Sequence, residues 1–116
     1  MDNLKLSSDS DLLICEIYKL YLIQRSQGRS KVDAKYIGSY IELANLIPNS
    51  TYDDINDTCR ILGKLGLLSI SYADNACNHI SLTEDGIVYM ENRFYNKISN
   101  VIEYITKLKN LFNPFS

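Results

Sequence analysis

Two stretches of the sequence concentrate side chains that could bind a phosphate or a base edge. The first is the densest group of cations in the chain, Arg25, Arg29, Lys31 and Lys35. The second follows at residue 51 and supplies hydroxyl, amide and cationic groups. Arginine and lysine bind phosphates, and arginine and asparagine also bind base edges. We therefore predict nucleic-acid contacts, with an ordinary hydrated surface as the alternative, at Arg29, Lys31, Lys35, Thr51, Tyr52, Asn56, Arg60 and Lys64.

Catalytic and metal-binding chemistry has little support in the sequence. The single histidine, His79, has no carboxylate cluster near it, and the three cysteines (Cys15, Cys59, Cys77) fit no zinc-binding spacing. The five glycines form no phosphate-binding motif. We predict that the chain is not an enzyme, needs no cofactor or metal, and keeps its cysteines unpaired as small buried apolar residues.

Charge and hydropathy limit the kinds of partner. The 116 residues carry 12 Lys and Arg against 14 Asp and Glu, a net charge of -2, so any basic patch must be local. No apolar run approaches the ~18–20 residues that span a bilayer. We expect a cytoplasmic protein with one core and no membrane partner.

Caps and helical spacing predict the elements that position the candidate residues. A flexible leader is expected at 1–8, followed by helix 1 at about 10–27, with Asp9 or Ser10 as its N-cap. Gly28 is expected to close this helix in a left-handed conformation. These features predict a first helix that ends within the basic cluster, between Arg25 and Arg29.

The middle of the chain predicts two further helices. A short edge strand is expected at 29–32, and helix 2 begins at its cap Asp33 and ends at the Pro48 turn. Thr51 resembles the start of a capping box for helix 3. The buried face of helix 3 is expected to hold Ile55, Cys59 and Leu62.

The last part of the chain predicts a hairpin and one long helix. Strands are expected at 67–72 and 77–82, joined by a turn at Asp74-Asn75. Thr83 then caps a helix that continues to Asn113-Pro114. The predicted fold class is α+β, mainly α, in the order of a winged helix-turn-helix, with a domain over 9–83 and a C-terminal helix for dimerisation over 84–113.

Three sequence features follow one another in the region from helix 3 to the last helix. They are the triplet Ile55, Cys59 and Leu62, then Gly66-Leu67-Leu68, then Leu82-Thr83-Glu84-Asp85-Gly86. This series resembles winged-helix regulators of the MarR-like and PadR-like kinds. The stretch from Ser81, SLTEDGIVYMENRFYNKISNVIEYITKLKNLF, is similar to the end of the YjcQ-type family of bacteria and phages. The resemblance implies a small dimeric DNA-binding protein, a transcriptional regulator of phage or mobile-element type.

The charges of helix 3 favour an alternative function. Asp53, Asp54 and Asp57 precede Arg60, where a DNA-binding helix would approach phosphates. The hairpin tip at 72–78 contains no Arg or Lys. The alternative is a winged-helix module, an inhibitor or adaptor, that docks its acidic helix 3 on a basic protein.

Apolar spacing along the last helix predicts a second copy as partner. The steps of four and three are those of a coiled coil, and a helix of roughly 30 residues, ~45 Å long, would extend beyond a small domain. Packing of this helix back onto helix 1 is the alternative. The predicted dimer interface is Phe94, Ile98, Val101, Ile105, Leu108 and Phe112.

Overall fold

A computed structural model describes residues 4–112 and residue 115. It confirms an α+β, mainly helical fold with a three-stranded antiparallel sheet in the order β1-β3-β2. Within the described residues, no helix is both long enough and apolar enough to cross a membrane. The elements in chain order are α1 (Ser8–Ser26), α2 (Lys31–Lys35), β1 (Tyr36–Gly38), α3 (Tyr40–Leu46), α4 (Tyr52–Lys64), β2 (Leu68–Ala73), β3 (Ala76–Leu82), α5 (Glu84–Phe94) and α6 (Ile98–Phe112).

Helix α1 is the centre of the fold. Every residue from Leu12 to Tyr18 is buried, so the helix is enclosed on all sides rather than on one face. Helices α4 and α6 and strand β1 all contact it. These elements therefore pack around α1.

The start of α1 differs from the prediction. Its N-cap is Ser7, whose hydroxyl accepts a hydrogen bond from the Ser10 amide at 3.2 Å, and neither Asp9 nor Ser10 has that role. Leu4 and Leu6 pack against the core, so the leader is folded from residue 4 onwards, while residues 1–3 lie outside the described part. The left-handed Gly28 after α1 is confirmed, with φ +87°.

The edge strand predicted at 29–32 is also wrong. Ser30 caps the short helix α2, and the strand lies further along the chain, at Tyr36–Gly38, inside the predicted helix 2. Strand β1 forms there because it pairs with the free edge of β3, a contact that local spacing does not reveal. Gly38, at φ +122°, then allows the Glu42 carboxylate to reach back to the Ser39 amide and form a capping box for α3.

Helix α4 and the hairpin follow the sequence-based expectations. Thr51 caps α4, and Gly66 ends it at φ +82°. The Leu67 amide donates to the Leu62 carbonyl and the Gly66 amide to the Gly63 carbonyl, each at 3.1 Å, which is a Schellman motif. The hairpin turns at Asp74 and Asn75, both with positive φ, as predicted.

The single C-terminal helix is not observed. Thr83 caps α5 as predicted, but α5 ends at Phe94, and Tyr95 and Asn96 adopt left-handed conformations before α6 begins. The chain turns there, and α6 then packs against α1. The predicted helix end at Asn113-Pro114 lies outside the described residues.

This reversal changes the role of the predicted dimer interface. Phe94, Val101, Ile105 and Leu108 are buried in the core of their own chain, and Ile98 is half-buried. Phe112 is 62% exposed. The buried four are therefore already covered without a second copy.

All three cysteines are free and buried, in line with their prediction as small apolar residues. Burial raises the pKa of the Cys59 thiol to about 12 and also raises that of Cys77. The pKa of Cys15 is raised by burial and by the neighbouring Asp11 carboxylate. The three thiols therefore remain protonated near neutral pH.

Two helical glycines provide a matched test of packing. We expect Gly86→Ala to lower the free energy of unfolding by about 1–3 kcal/mol, because its Cβ would overlap the rigid Leu67 carbonyl oxygen. Gly63→Ala should change stability much less. Its Cβ would lie 2.8 Å from Ile70 Cδ1, which can move, and alanine is favoured over glycine in a helix by about 1 kcal/mol. Urea unfolding of both variants measures this, and equal losses of stability would contradict it.

Candidate nucleic-acid interface

Helices α3 and α4 form the frame of the candidate interface. The Ser50 hydroxyl contacts the Ile47 carbonyl at 2.7 Å and the Ala44 carbonyl at 3.1 Å, which fixes the turn between the helices. The rings of Tyr40 and Tyr52 meet edge to face, with centroids 6.3 Å apart, at the N-terminal ends of the two helices. The frame therefore holds α4 in one orientation relative to α3.

One side of α4 is buried and the other is presented to solvent. The inner side holds Ile55, Thr58, Cys59 and Leu62, which include all three apolar residues predicted for that face. The predicted binding residues that belong to α4 or its N-cap lie on the other side or at the helix start. We call the α4–hairpin face the surface made by Thr51, Tyr52, Asn56, Arg60 and Lys64 together with Tyr72 of β2.

Asn56 connects this face to the hairpin instead of pointing freely into solvent. Its side-chain oxygen accepts a hydrogen bond from the Cys77 amide of β3 at 2.8 Å. The Cys77 thiol also lies 3.5 Å from the Asn56 carbonyl oxygen. Asn56 is therefore a positioning residue for the hairpin, although its amide nitrogen can still donate.

Arg60 is the cation that lies between α4 and the hairpin. Its guanidinium lies 5.0 Å from the ring centroid of Tyr72, a cation–π distance. Arg60 is half-buried and Tyr72 is 50% exposed, so the pair remains open to a ligand on one side. Tyr72 was not predicted as a site residue, because its role comes from a contact between distant parts of the sequence.

The basic cluster has a different environment. Lys31 and Lys35 of α2 both form ion pairs with Glu84 at the start of α5, the second at 2.9 Å. Hydrogen bonds from Lys31 and Lys35 hold the pKa of Glu84 below its usual value, and the same contact raises the pKa of Lys31. The Arg29 guanidinium donates to the Gln24 side chain at 2.9 Å. These cations thus already have partners within the chain.

The structure does not bring the two predicted groups together. Asn56 meets β3 at Cys77, near the hairpin turn, whereas Lys31 and Lys35 meet Glu84, just beyond the other end of β3 at Leu82. Five strand residues at ~3.4 Å each separate these points, about 17 Å in all. The basic cluster is therefore not part of the α4–hairpin face.

Acidic residues dominate the exposed surface near the start of α4. Asp53, Asp54 and Asp57 are all exposed, and Asp74 is exposed at the hairpin turn. The cations on the same helix are the half-buried Arg60 and the exposed Lys64. The local potential of this surface is therefore unfavourable for a polyanion, except at the Arg60 end.

Metal-binding groups do not cluster in the part of the chain that the structure describes. No set of three His, Cys, Asp or Glu side chains there is placed to hold an ion. His79 instead shares a hydrogen bond of 3.0 Å with the Tyr36 hydroxyl, which links β3 to β1. No protein-family model, curated protein or solved structure matches the chain.

The role assigned to Asn56 can be tested through stability. Asn56→Ala should lower the free energy of unfolding by about 1–3 kcal/mol, because it leaves the Cys77 amide without its acceptor. Asn56→Asp keeps an acceptor oxygen and should retain most of the stability. Chemical denaturation of both variants gives the comparison. A loss in Asn56→Ala no larger than in Asn56→Asp would show that the bond does not position the hairpin.

Proposed function

We propose that this chain is a winged-helix protein that binds double-stranded DNA through the α4–hairpin face. In this proposal α3 and α4 are the helix-turn-helix, α4 enters the major groove, and the β2–β3 hairpin is the wing beside it. The order α1, β1, α3, α4, β2, β3 supports this assignment. Helix α2 is then a short addition before the first strand, and α5 and α6 follow the wing.

The observation that carries the proposal is the placement of Arg60. It projects from α4 next to the hairpin, and the Tyr72 ring holds its guanidinium in place. A positioned guanidinium at the junction of a groove-binding helix and a wing can bind a phosphate or a guanine edge. Lys64, one turn further along α4, adds a second cation on the exposed side.

The acidic residues of α4 set the expected strength of binding. Asp53 and Asp57 repel phosphates, although an aspartate can accept a hydrogen bond from cytosine N4. Few cations per chain contact DNA in this arrangement. Affinity is therefore modest, and it falls with salt by a slope of roughly 0.9 per phosphate contact.

The same carboxylates favour a second candidate function. Asp53, Asp54 and Asp57 form an exposed acidic surface at the start of α4. Such a surface fits a basic patch on another protein, as an inhibitor or adaptor would use it. The YjcQ-type relationship, transcriptional regulation and cytoplasmic location remain predictions from the sequence.

Charge variants on α4 test the DNA proposal. At ~50 mM salt, Arg60→Ala should weaken binding to a fluorescein-labelled duplex about tenfold or more, since one bound guanidinium is lost. The Asp53→Asn and Asp57→Asn double variant should bind roughly three- to tenfold more tightly, because two repulsive charges are removed. Fluorescence anisotropy titrations measure both changes.

Lys35→Ala is the control, because it also removes one positive charge but lies beside Glu84 rather than on the α4–hairpin face. It should change DNA affinity by less than about threefold. Absence of duplex binding by the unaltered protein at this salt concentration would overturn the proposal. So would a loss in Lys35→Ala that equals the loss in Arg60→Ala.

A further inference from the structure

The turn between α5 and α6 has an unusual backbone for its sequence. Tyr95 and Asn96 have φ values of +54° and +60°, so two consecutive residues with side chains adopt the left-handed conformation. This conformation is unfavourable for L-residues, less so for asparagine than for tyrosine. The Tyr95 side chain is 74% exposed, so little packing compensates for it.

The local sequence around this turn favours a continuous helix. No glycine or proline occurs between Glu84 and Phe112, apart from Gly86 in the first turn of α5. The apolar positions continue across the break in steps of four and three, at Phe94, Ile98, Val101, Ile105 and Leu108. Asn96 tolerates the left-handed conformation, but Tyr95 does not favour it, so the turn depends mainly on the docking of α6.

The contacts that dock α6 lie beyond the turn. Val101, Ile105 and Leu108 are buried, and α6 contacts α1 more extensively than any other helix does. The Tyr104 hydroxyl donates to Asp11 Oδ2 at 2.5 Å, and Lys109 lies 3.8 Å from the buried Glu16 carboxylate. An identical α6 from another copy could make all of these contacts.

We propose that two copies of this chain form a domain-swapped dimer. In this dimer the side of α1 that α6 covers is occupied by α6 of the second copy. The turn straightens, α5 and α6 become one helix of ~43 Å, and each α6 docks on the α1 of the other chain. The left-handed conformation of Tyr95 and Asn96 is lost, together with the 2.9 Å hydrogen bond from Tyr18 to Asn96. This proposal does not rest on DNA binding.

One pair of aromatic rings distinguishes the two arrangements. Phe94 at the end of α5 and Tyr104 on α6 have ring centroids 5.5 Å apart within the single chain. In a continuous helix ten residues at 1.5 Å each would separate them by about 15 Å. Their contact in the swapped dimer must therefore be between two chains.

A matched pair of substitutions at Tyr95 tests the proposal. Both Tyr95→Ala and Tyr95→Gly remove the same exposed ring, so both should fold, which circular dichroism checks. Alanine favours the straight helix and glycine favours the left-handed turn. The dimer association constant of Tyr95→Ala should exceed that of Tyr95→Gly by about 100-fold, roughly tenfold for each of the two turns.

Each protein is refolded at high concentration, because exchange requires α6 to undock, and is then measured by sedimentation equilibrium. A dimer assembled from differently isotope-labelled chains should show a nuclear Overhauser effect between Phe94 and Tyr104 of different chains. Equal association constants for the two variants would overturn the proposal. So would a dimer in which this contact is found only within one chain, or monomers throughout at millimolar concentration.

Discussion

The packing of α1 against α5 and α6 depends on the carboxylate of Asp11. It accepts hydrogen bonds from Arg93 of α5 at 2.7 and 3.4 Å and from Tyr104 of α6 at 2.5 Å, so α1 binds both C-terminal helices at one point. Losing one partner of a fully buried ion pair costs about 3–5 kcal/mol, and less here because the side chains are 13% and 23% exposed. Burial raises the pKa of Tyr104 to about 12, helped by its bond to Asp11, so this donor keeps its proton.

Ion pairs within the chain determine which cations are left to give the α4–hairpin face a positive charge. The largely buried carboxylates of Asp11 and Glu16 and the exposed carboxylate of Glu84 each pair with cations of the chain. Those pairs lie along α1 and at the start of α5, away from the outer side of α4. The α4–hairpin face therefore depends on Arg60 and Lys64 for its positive charge. The paired cations that do not contribute to it are Lys19, Lys31, Lys35, Arg93 and Lys109.

Capping residues, glycines and turn residues in the sequence were sufficient to predict the features that depend on local hydrogen bonds and local backbone conformation. The caps Thr51 and Thr83, the left-handed Gly28, and the turn at Asp74 and Asn75 belong to this group. Strand β1 and the true partners of Asn56 and Lys31 depend on residues far away in sequence. Helical spacing places a side chain on a face, but it does not show that another element already occupies its polar atoms.

At the helix break after Phe94, local spacing and tertiary packing favour different backbone conformations. Local spacing favours one helix through Tyr95, whereas in the structure the chain turns after Phe94 and α6 packs against α1. The docked helix then enforces a backbone conformation that Tyr95 does not favour. In the proposed dimer α5 and α6 would form one straight helix, and α1 would still be covered, because α6 of one chain packs against α1 of the other. In the proposed dimer, the predicted long helix and the observed turn would be two arrangements of the same apolar contacts, and protein concentration would shift the balance between them.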